Sequence, residues 1–130
     1  MTLRNAMRSL LSKGESGPAD EACLLIAGEA ELEAAVASRD KLMVLFYATW
    51  CPFSRAFLKV FSRHAASGDP CYARFVVDDA DPTVAKYGIE IFPTVLFFEK
   101  GELVRRLDGV YHRGLSRGDL EDFARKCAVR

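Results

Sequence analysis

Five consecutive apolar residues, Met43 to Tyr47 (MVLFY), are followed within a few positions by Phe53, Phe57, Val60 and Phe61. The unbroken run suits a central strand covered on both faces. Recurrence at i, i+4, i+7 and i+8 suits an amphipathic helix. A strand feeding directly into a helix begins a β-α unit, which needs a parallel neighbour strand reached by a crossover. The chain is therefore expected to be α/β, with the strand-to-helix junction around Trp50-Cys51-Pro52 at the carboxyl end of a central strand.

The other elements follow from local pattern. Cys23 to Ala27 (CLLIA) reads as a buried strand, and Glu29 to Ser38, alanine-rich and free of Gly and Pro, as a helix. Ser67-Gly68-Asp69-Pro70 stops the helix that starts near Phe53. Tyr72 to Val77 is the next strand, and Asp78 to Pro82 leads into a short helix ending at Gly88. Thr94 to Phe98 and Glu102 to Leu107 flank the Lys100-Gly101 turn as an antiparallel hairpin. Ser116 with Asp119 three residues on forms a capping box for a helix bearing Leu120, Phe123, Ala124 and Cys127 on one face. The order βαβαβαββα gives a mixed five-stranded sheet with helices on both faces. In such sheets reactive groups collect at the carboxyl ends of the parallel strands, which is where Cys51 lies.

With 130 residues, half of them hydrophobic, the chain fits one domain with ample core material. Ser12 to Asp20 is polar and contains Gly and Pro, so residues 1–20 read as an N-terminal segment and linker and 21–130 as the domain. Within that segment Leu3, Met7, Leu10 and Leu11 share a helical face beside Arg4, Arg8 and Lys13. This suits a frayed or docking N-terminal helix better than a transit peptide. Eighteen basic residues balance eighteen acidic ones, so no net field draws nucleic acid or an anionic membrane. No apolar run approaches the roughly 18–20 residues that span a bilayer. The expected address is cytoplasmic and the expected state a monomer.

The four cysteines, Cys23, Cys51, Cys71 and Cys127, form no C-x-x-C pair and no zinc pattern. Cys23, Cys71 and Cys127 read as buried small hydrophobes. Cys51 reads as a solvent-facing thiol at the first turn of a helix. There the unsatisfied backbone N–H groups and the positive end of the helix dipole favour the thiolate, the nucleophilic form. Pro52 suits the first helical position, the N–H groups of Phe53 and Ser54 point back at the sulfur, and Ser54 Oγ is placed to donate one more hydrogen bond.

The stretch FYATWCPFS, then YGIEIFPTVLFF about 40 residues later, then Gly109 after the last strand, resembles the thioredoxin family from about Ala22 to Cys127. The resemblance implies a thioredoxin-like fold with Cys51 as the disulfide-attacking thiol. It also implies a cis bond before Pro93, and a substrate-binding surface of Trp50, Pro52, Phe92 and Pro93. The C-P-F-S tetrad is most similar to the single-cysteine branch that includes adenylylsulfate-reductase-like proteins. Three positions depart from the general pattern: Ser54 replaces the second cysteine, Leu45 replaces the buried carboxylate that serves it, and Pro52-Phe53 replaces Gly-Pro. Arg74 takes the place of a basic residue in the third strand, and reads as a solvated strand-end charge.

Serine cannot resolve a mixed disulfide, so release falls to glutathione, a thiol of the substrate or a distant cysteine. The expected function is monothiol exchange on protein thiols or disulfides, of isomerase or de-glutathionylation type, with Cys51 and Ser54 as the catalytic pair. No metal or organic cofactor is required, and glutathione is a candidate resolving thiol. One alternative is a redox-inactive module that binds clients through the same surface. Another follows from the similarity of C-P-F-S to the C-G-F-S of monothiol glutaredoxins, which hold an iron–sulfur cluster between two protomers. Against it stand I-F-P in place of T-V-P, a lone D-G, and the tryptophan before the cysteine. His64 reads as a structural histidine on the apolar helix face, and His112 as an exposed loop residue.

Overall fold

The structure is a computed structural model that describes residues 23–65, 71–77 and 81–128. The N-terminal segment and the Ser67–Pro70 stop signal lie outside the described residues. In chain order the elements are β1 (Leu24–Ile26), α1 (Glu29–Ser38), β2 (Lys41–Tyr47), α2 (Pro52–Ala65), β3 (Cys71–Val76), α3 (Pro82–Lys86), β4 (Thr94–Glu99), β5 (Glu102–Leu107) and α4 (Arg117–Ala128). The sheet order is β1-β3-β2-β4-β5. Strand β3 runs parallel to both β1 and β2, whereas β4 is antiparallel to β2 and β5. The crossovers through α1 and α2 supply the parallel part, and the Lys100-Gly101 turn supplies the hairpin.

Strand β2 is central, and its pleat divides the apolar run between two cores. Met43, Leu45 and Tyr47 face Phe57, Phe61 and Ala65 of α2 and Leu120, Phe123 and Cys127 of α4. Leu42, Val44 and Phe46 pack with Leu32, Ala35 and Val36 of α1, and Phe46 stacks on Phe75 with ring centroids 5.0 Å apart. Phe57 and Phe61 are 1% and 0% exposed, so each contributes about 1.5–3 kcal/mol of burial free energy. These contacts fix α2, and with it the junction carrying Cys51.

The helix ends follow their local chemistry. Asp81 caps α3 by accepting the Thr83 N–H at 2.9 Å, with Pro82 at the first helical position. Ser116 Oγ accepts the Asp119 N–H at 3.1 Å, and Asp119 accepts the Ser116 N–H at 2.9 Å, closing a reciprocal box. That backbone bond, then Arg113 at 3.0 Å, hold the Asp119 carboxyl below the usual carboxylate range.

Strand β1 differs from its expectation. It is the short edge strand of the sheet, with Leu24 and Leu25 exposed and only Ile26 buried. A run of apolar residues records average burial, and an edge position with one partner strand leaves part of it open. Arg74 also departs: it sits mid-strand in β3, level with Leu25 and Leu45, and is half-buried. Its Nε is buried without a hydrogen-bond partner, so it is not a solvated strand-end charge.

Candidate active site

The site is built at the carboxyl end of β2. Val77 N–H donates to the Tyr47 carbonyl at 2.9 Å and extends the β2–β3 ladder to the strand end. The chain then turns: Cys51 N–H donates to the Ala48 carbonyl at 3.1 Å, and the Cys51 carbonyl accepts from Arg55 N–H at 3.0 Å. Cys51 thus holds the cap position of α2, with Pro52 opening the helix. The leading N–H groups of a helix have no intrahelical acceptor, and Phe53 and Ser54 belong to that set.

The thiol is not solvent-facing. Cys51 is 9% exposed, and its Sγ lies 3.9 Å from the Phe92 carbonyl oxygen, to which the S–H donates. The sequence placed the sulfur after the apolar strand but carried no sign that the Phe92 segment folds over it. The Phe92–Pro93 peptide bond is cis. Pro93 is buried, so Phe92, half-buried, is the part of that pair that reaches the surface. The Phe92 ring meets Trp50 edge-on at 6.2 Å and 89°, while Trp50 stays 62% exposed and Pro52 is open to solvent.

Ser54 has a structural attachment rather than a bond to the sulfur. It is fully buried, and its Oγ accepts the Ala48 N–H at 3.2 Å, tying the first turn of α2 to the end of β2. Leu45 is fully buried in the apolar core shared with Phe57 and α4.

The other cysteines are spread out, and no disulfide joins the four. Cys23 and Cys127 are buried in the α2–α4 core, as expected of small hydrophobes. Cys71 is the exception: it is exposed, and Arg39 Nη1 donates to its Sγ at 3.5 Å. It begins β3 opposite Leu42, near the start of β2. Roughly 17 Å of strand therefore separates its level from the Tyr47 end that leads to Cys51.

Several residues complete the site that periodicity did not single out. Thr94 Oγ1 donates to the Ile91 carbonyl at 2.6 Å and accepts the Gly109 N–H at 3.3 Å, bracing the loop before β4. Gly109 passes so close that a Cβ there would lie 2.4 Å from the Pro93 carbonyl oxygen, which explains a glycine after β5. Beyond it Val110 and Gly114 form a β-bridge, and a Cβ on Gly114 would meet Phe53 at 2.8 Å. Trp50, Phe53, Val110 and Tyr111 are all large exposed apolar side chains. The Gly114–Phe53 contact was hidden because no sequence period links residues 61 positions apart.

His64 lies half-buried on α2, with its ring 5.4 Å from Tyr72 in an edge-on contact. Burial holds its imidazole below the ordinary range, partly opposed by Glu121. His112 is exposed in the Val110–Gly114 turn at a φ of 66°, its ring 4.0 Å from Tyr111. Among the described residues, no group of three or more His, Cys, Asp or Glu is placed to share a metal ion. No described helix is long and apolar enough to cross a membrane.

The thioredoxin family model matches residues 24–124, which span every strand and the strand-to-helix junction. The chain belongs to the thioredoxin family. A thioredoxin from Mycoplasmoides gallisepticum is 31% identical over 85 residues, covering 65% of this chain and 85% of that one. The 5'-adenylylsulfate reductase-like 4 protein of Arabidopsis thaliana is 41% identical over 59 residues, which is 44% of this chain and 19% of that protein. Among solved structures, a mutant thioredoxin from Halobacterium salinarum superposes with a TM-score of 0.68 at 26% identity, covering 79% of this chain and 88% of that one. The fold is that of thioredoxin, and the family's chemistry is thiol–disulfide exchange on protein thiols or disulfides.

Proposed function

We propose that this thioredoxin-family chain performs single-thiol disulfide exchange through Cys51 and depends on a thiol from another molecule to complete the cycle. The observation that carries the reading is Ser54. It holds the position three residues after Cys51, is fully buried, and uses its oxygen to anchor the Ala48 N–H. Cys51 thiolate attacks one sulfur of a client disulfide, the client's S–S bond breaks, and the departing thiolate takes a proton from water. A second thiolate must then attack the mixed disulfide, returning Cys51 as thiol. Cys71 lies toward the opposite end of the sheet, and Cys23 and Cys127 are in the core, so glutathione or a client thiol is the resolving agent. Phe92 and the exposed Trp50 and Pro52 line the approach to the sulfur.

Intact-mass spectrometry after treatment with oxidised glutathione tests this, in a Cys71→Ser background because Cys71 is itself exposed. One glutathione adduct that disappears with Cys51→Ser supports the reading, as does an internal disulfide appearing only in Ser54→Cys. An internal disulfide before Ser54 is changed would overturn it. The burial of Cys51 favours one second reading, a binding module that has left redox chemistry. That reading predicts no adduct at Cys51 and client binding that survives Cys51→Ser.

A further inference from the structure

Helix α2 carries Arg55, Lys59 and Arg63 at i, i+4 and i+8, all exposed, and no acidic residue anywhere along Pro52–Ala65. Ion pairs hold Lys86, Arg106, Arg113, Arg117, Arg125 and Lys126, whereas Arg39, Lys41, Lys100 and Arg105 stand without one among the described residues, so what sets α2 apart is three aligned cations on one acid-free helix. Among the described residues, none of the three α2 cations has an acidic partner. Like charges at i, i+4 destabilise a helix by a few tenths of a kcal/mol per pair; Arg55 in the first turn opposes the helix dipole, while Arg63 in the last turn complements it. The mutual repulsion of the three cations is a cost that an external anion would relieve. Arg55 Nη1 donates to the Thr49 carbonyl at 2.9 Å, which pins the head of the ridge to the turn carrying Trp50 and Cys51. At its far end Glu121 lines the hollow shared by Arg63 and His64, but Arg117 holds it at 2.9 Å.

We propose that this ridge docks an acidic segment flanking the reactive cysteine of a client protein, a substrate class that rests on the single-thiol reading of Cys51. The spacing fits an extended peptide. Helical positions four apart step about 6 Å along the axis, and alternate side chains of an extended chain step about 6.6 Å. Three alternating acids therefore match Arg55, Lys59 and Arg63 over roughly 12 Å, on a ridge leading away from the thiol. A balanced net charge makes this a local field that selects an orientation, not a general affinity for polyanions.

The test uses two synthetic peptides in the Cys71→Ser background. Each carries one cysteine as its mixed disulfide with 5-thio-2-nitrobenzoate, flanked by alternating Glu and Ser or by alternating Lys and Ser. Cys51 forms an S–S bond to the peptide sulfur, the bond to the nitrobenzoate sulfur breaks, and the coloured thiolate leaves with the electron pair. At about 20 mM salt the acidic peptide should react about tenfold faster, and at about 0.5 M the ratio should fall below about twofold. Lys59→Glu with Arg63→Glu should abolish or invert the preference, and a general loss of reactivity cancels in the ratio. Equal rates at low salt, or a preference indifferent to salt and to the double variant, would overturn the proposal. So would a short oligonucleotide of equal charge that slows the acidic peptide as well as its thiol-free form does.

Silence of both peptides would refute the exchange reading and leave docking to be judged separately. The thiol-free acidic peptide is titrated against Cys51→Ser, with the chain's single tryptophan, Trp50, as the fluorescent reporter. Salt-sensitive binding then supports the ridge, and no binding overturns it.

Discussion

Replacing Gly109 by alanine is the sharpest test of how the site is held. Its backbone conformation is ordinary, so the effect comes from space alone. The new Cβ would fall 2.4 Å from the Pro93 carbonyl oxygen and 3.0 Å from Ile91 Cγ2, about 1 Å short of ordinary contact with backbone that has no rotamer to change. Overpacking of this kind costs about 1–3 kcal/mol. Moving Gly109 also stretches its N–H bond to Thr94 Oγ1, a loss of about 0.5–1.5 kcal/mol. The expected destabilisation is about 2–4 kcal/mol, read as a lower urea midpoint at unchanged slope and a Tm drop on the order of 10 °C. Gly101→Ala is the control: its φ of 85° brings backbone strain, but nothing lies within 4 Å of the added Cβ. It should lose only about 1 kcal/mol and leave Cys51 alkylation unchanged. Because Phe92 faces the sulfur, Gly109→Ala should also alter the alkylation rate of Cys51. A Gly109→Ala protein within about 0.5 kcal/mol of wild type, with unaltered alkylation, would refute the close-approach argument.

Other expectations follow from the same contacts. Ser54→Ala leaves the buried Ala48 N–H without its acceptor and should cost about 1–3 kcal/mol in urea unfolding, whereas an unchanged midpoint would remove Ser54 from its structural role. Ser116→Ala opens the capping box of α4 and should cost about 1 kcal/mol, measured the same way. His64 has its folded-state pKa lowered by burial, so the unfolded chain binds more protons near pH 6.5. Stability should be full above that pH and decline as pH falls toward the folded value; His64→Gln should flatten this decline in pH-dependent melts. Asp119 is the opposite limb: its lowered pKa gives stability that is present above about 3.8 and lost as pH falls through the folded value. Asp119→Asn should remove that acid-limb term.

The period change from Met43–Tyr47 to Phe53–Phe61 was enough to place β2, α2 and the junction between them, because one central strand and one amphipathic helix leave few topologies. The hairpin at Lys100-Gly101 and the Ser116–Asp119 box were legible for the same reason, since each is complete within a few residues. What the sequence did not carry was long-range contact. Cys51 lies beneath the Phe92 carbonyl, 41 residues away, so its burial could not be read from Trp50 and Pro52. Residue type alone puts Cys71 with the buried cysteines, whereas the register that sets it at the open start of β3 leaves it exposed. Ser54 was placed at the correct turn, but its partner proved to be the Ala48 N–H at the strand end. The α2 cations are visible as letters, but the tie of Arg55 to the Thr49 carbonyl beside the Cys51 turn is a contact that only the fold supplies.

The proposed cycle turns on a mixed disulfide that the chain does not resolve by itself. A Cys51–peptide disulfide, formed in the Cys71→Ser background and freed of excess reagent, should persist until a thiol is added. Its decay should then be first order in glutathione with no measurable rate at zero glutathione. Decay at a rate independent of added thiol, releasing the peptide and leaving an internal disulfide, would contradict it.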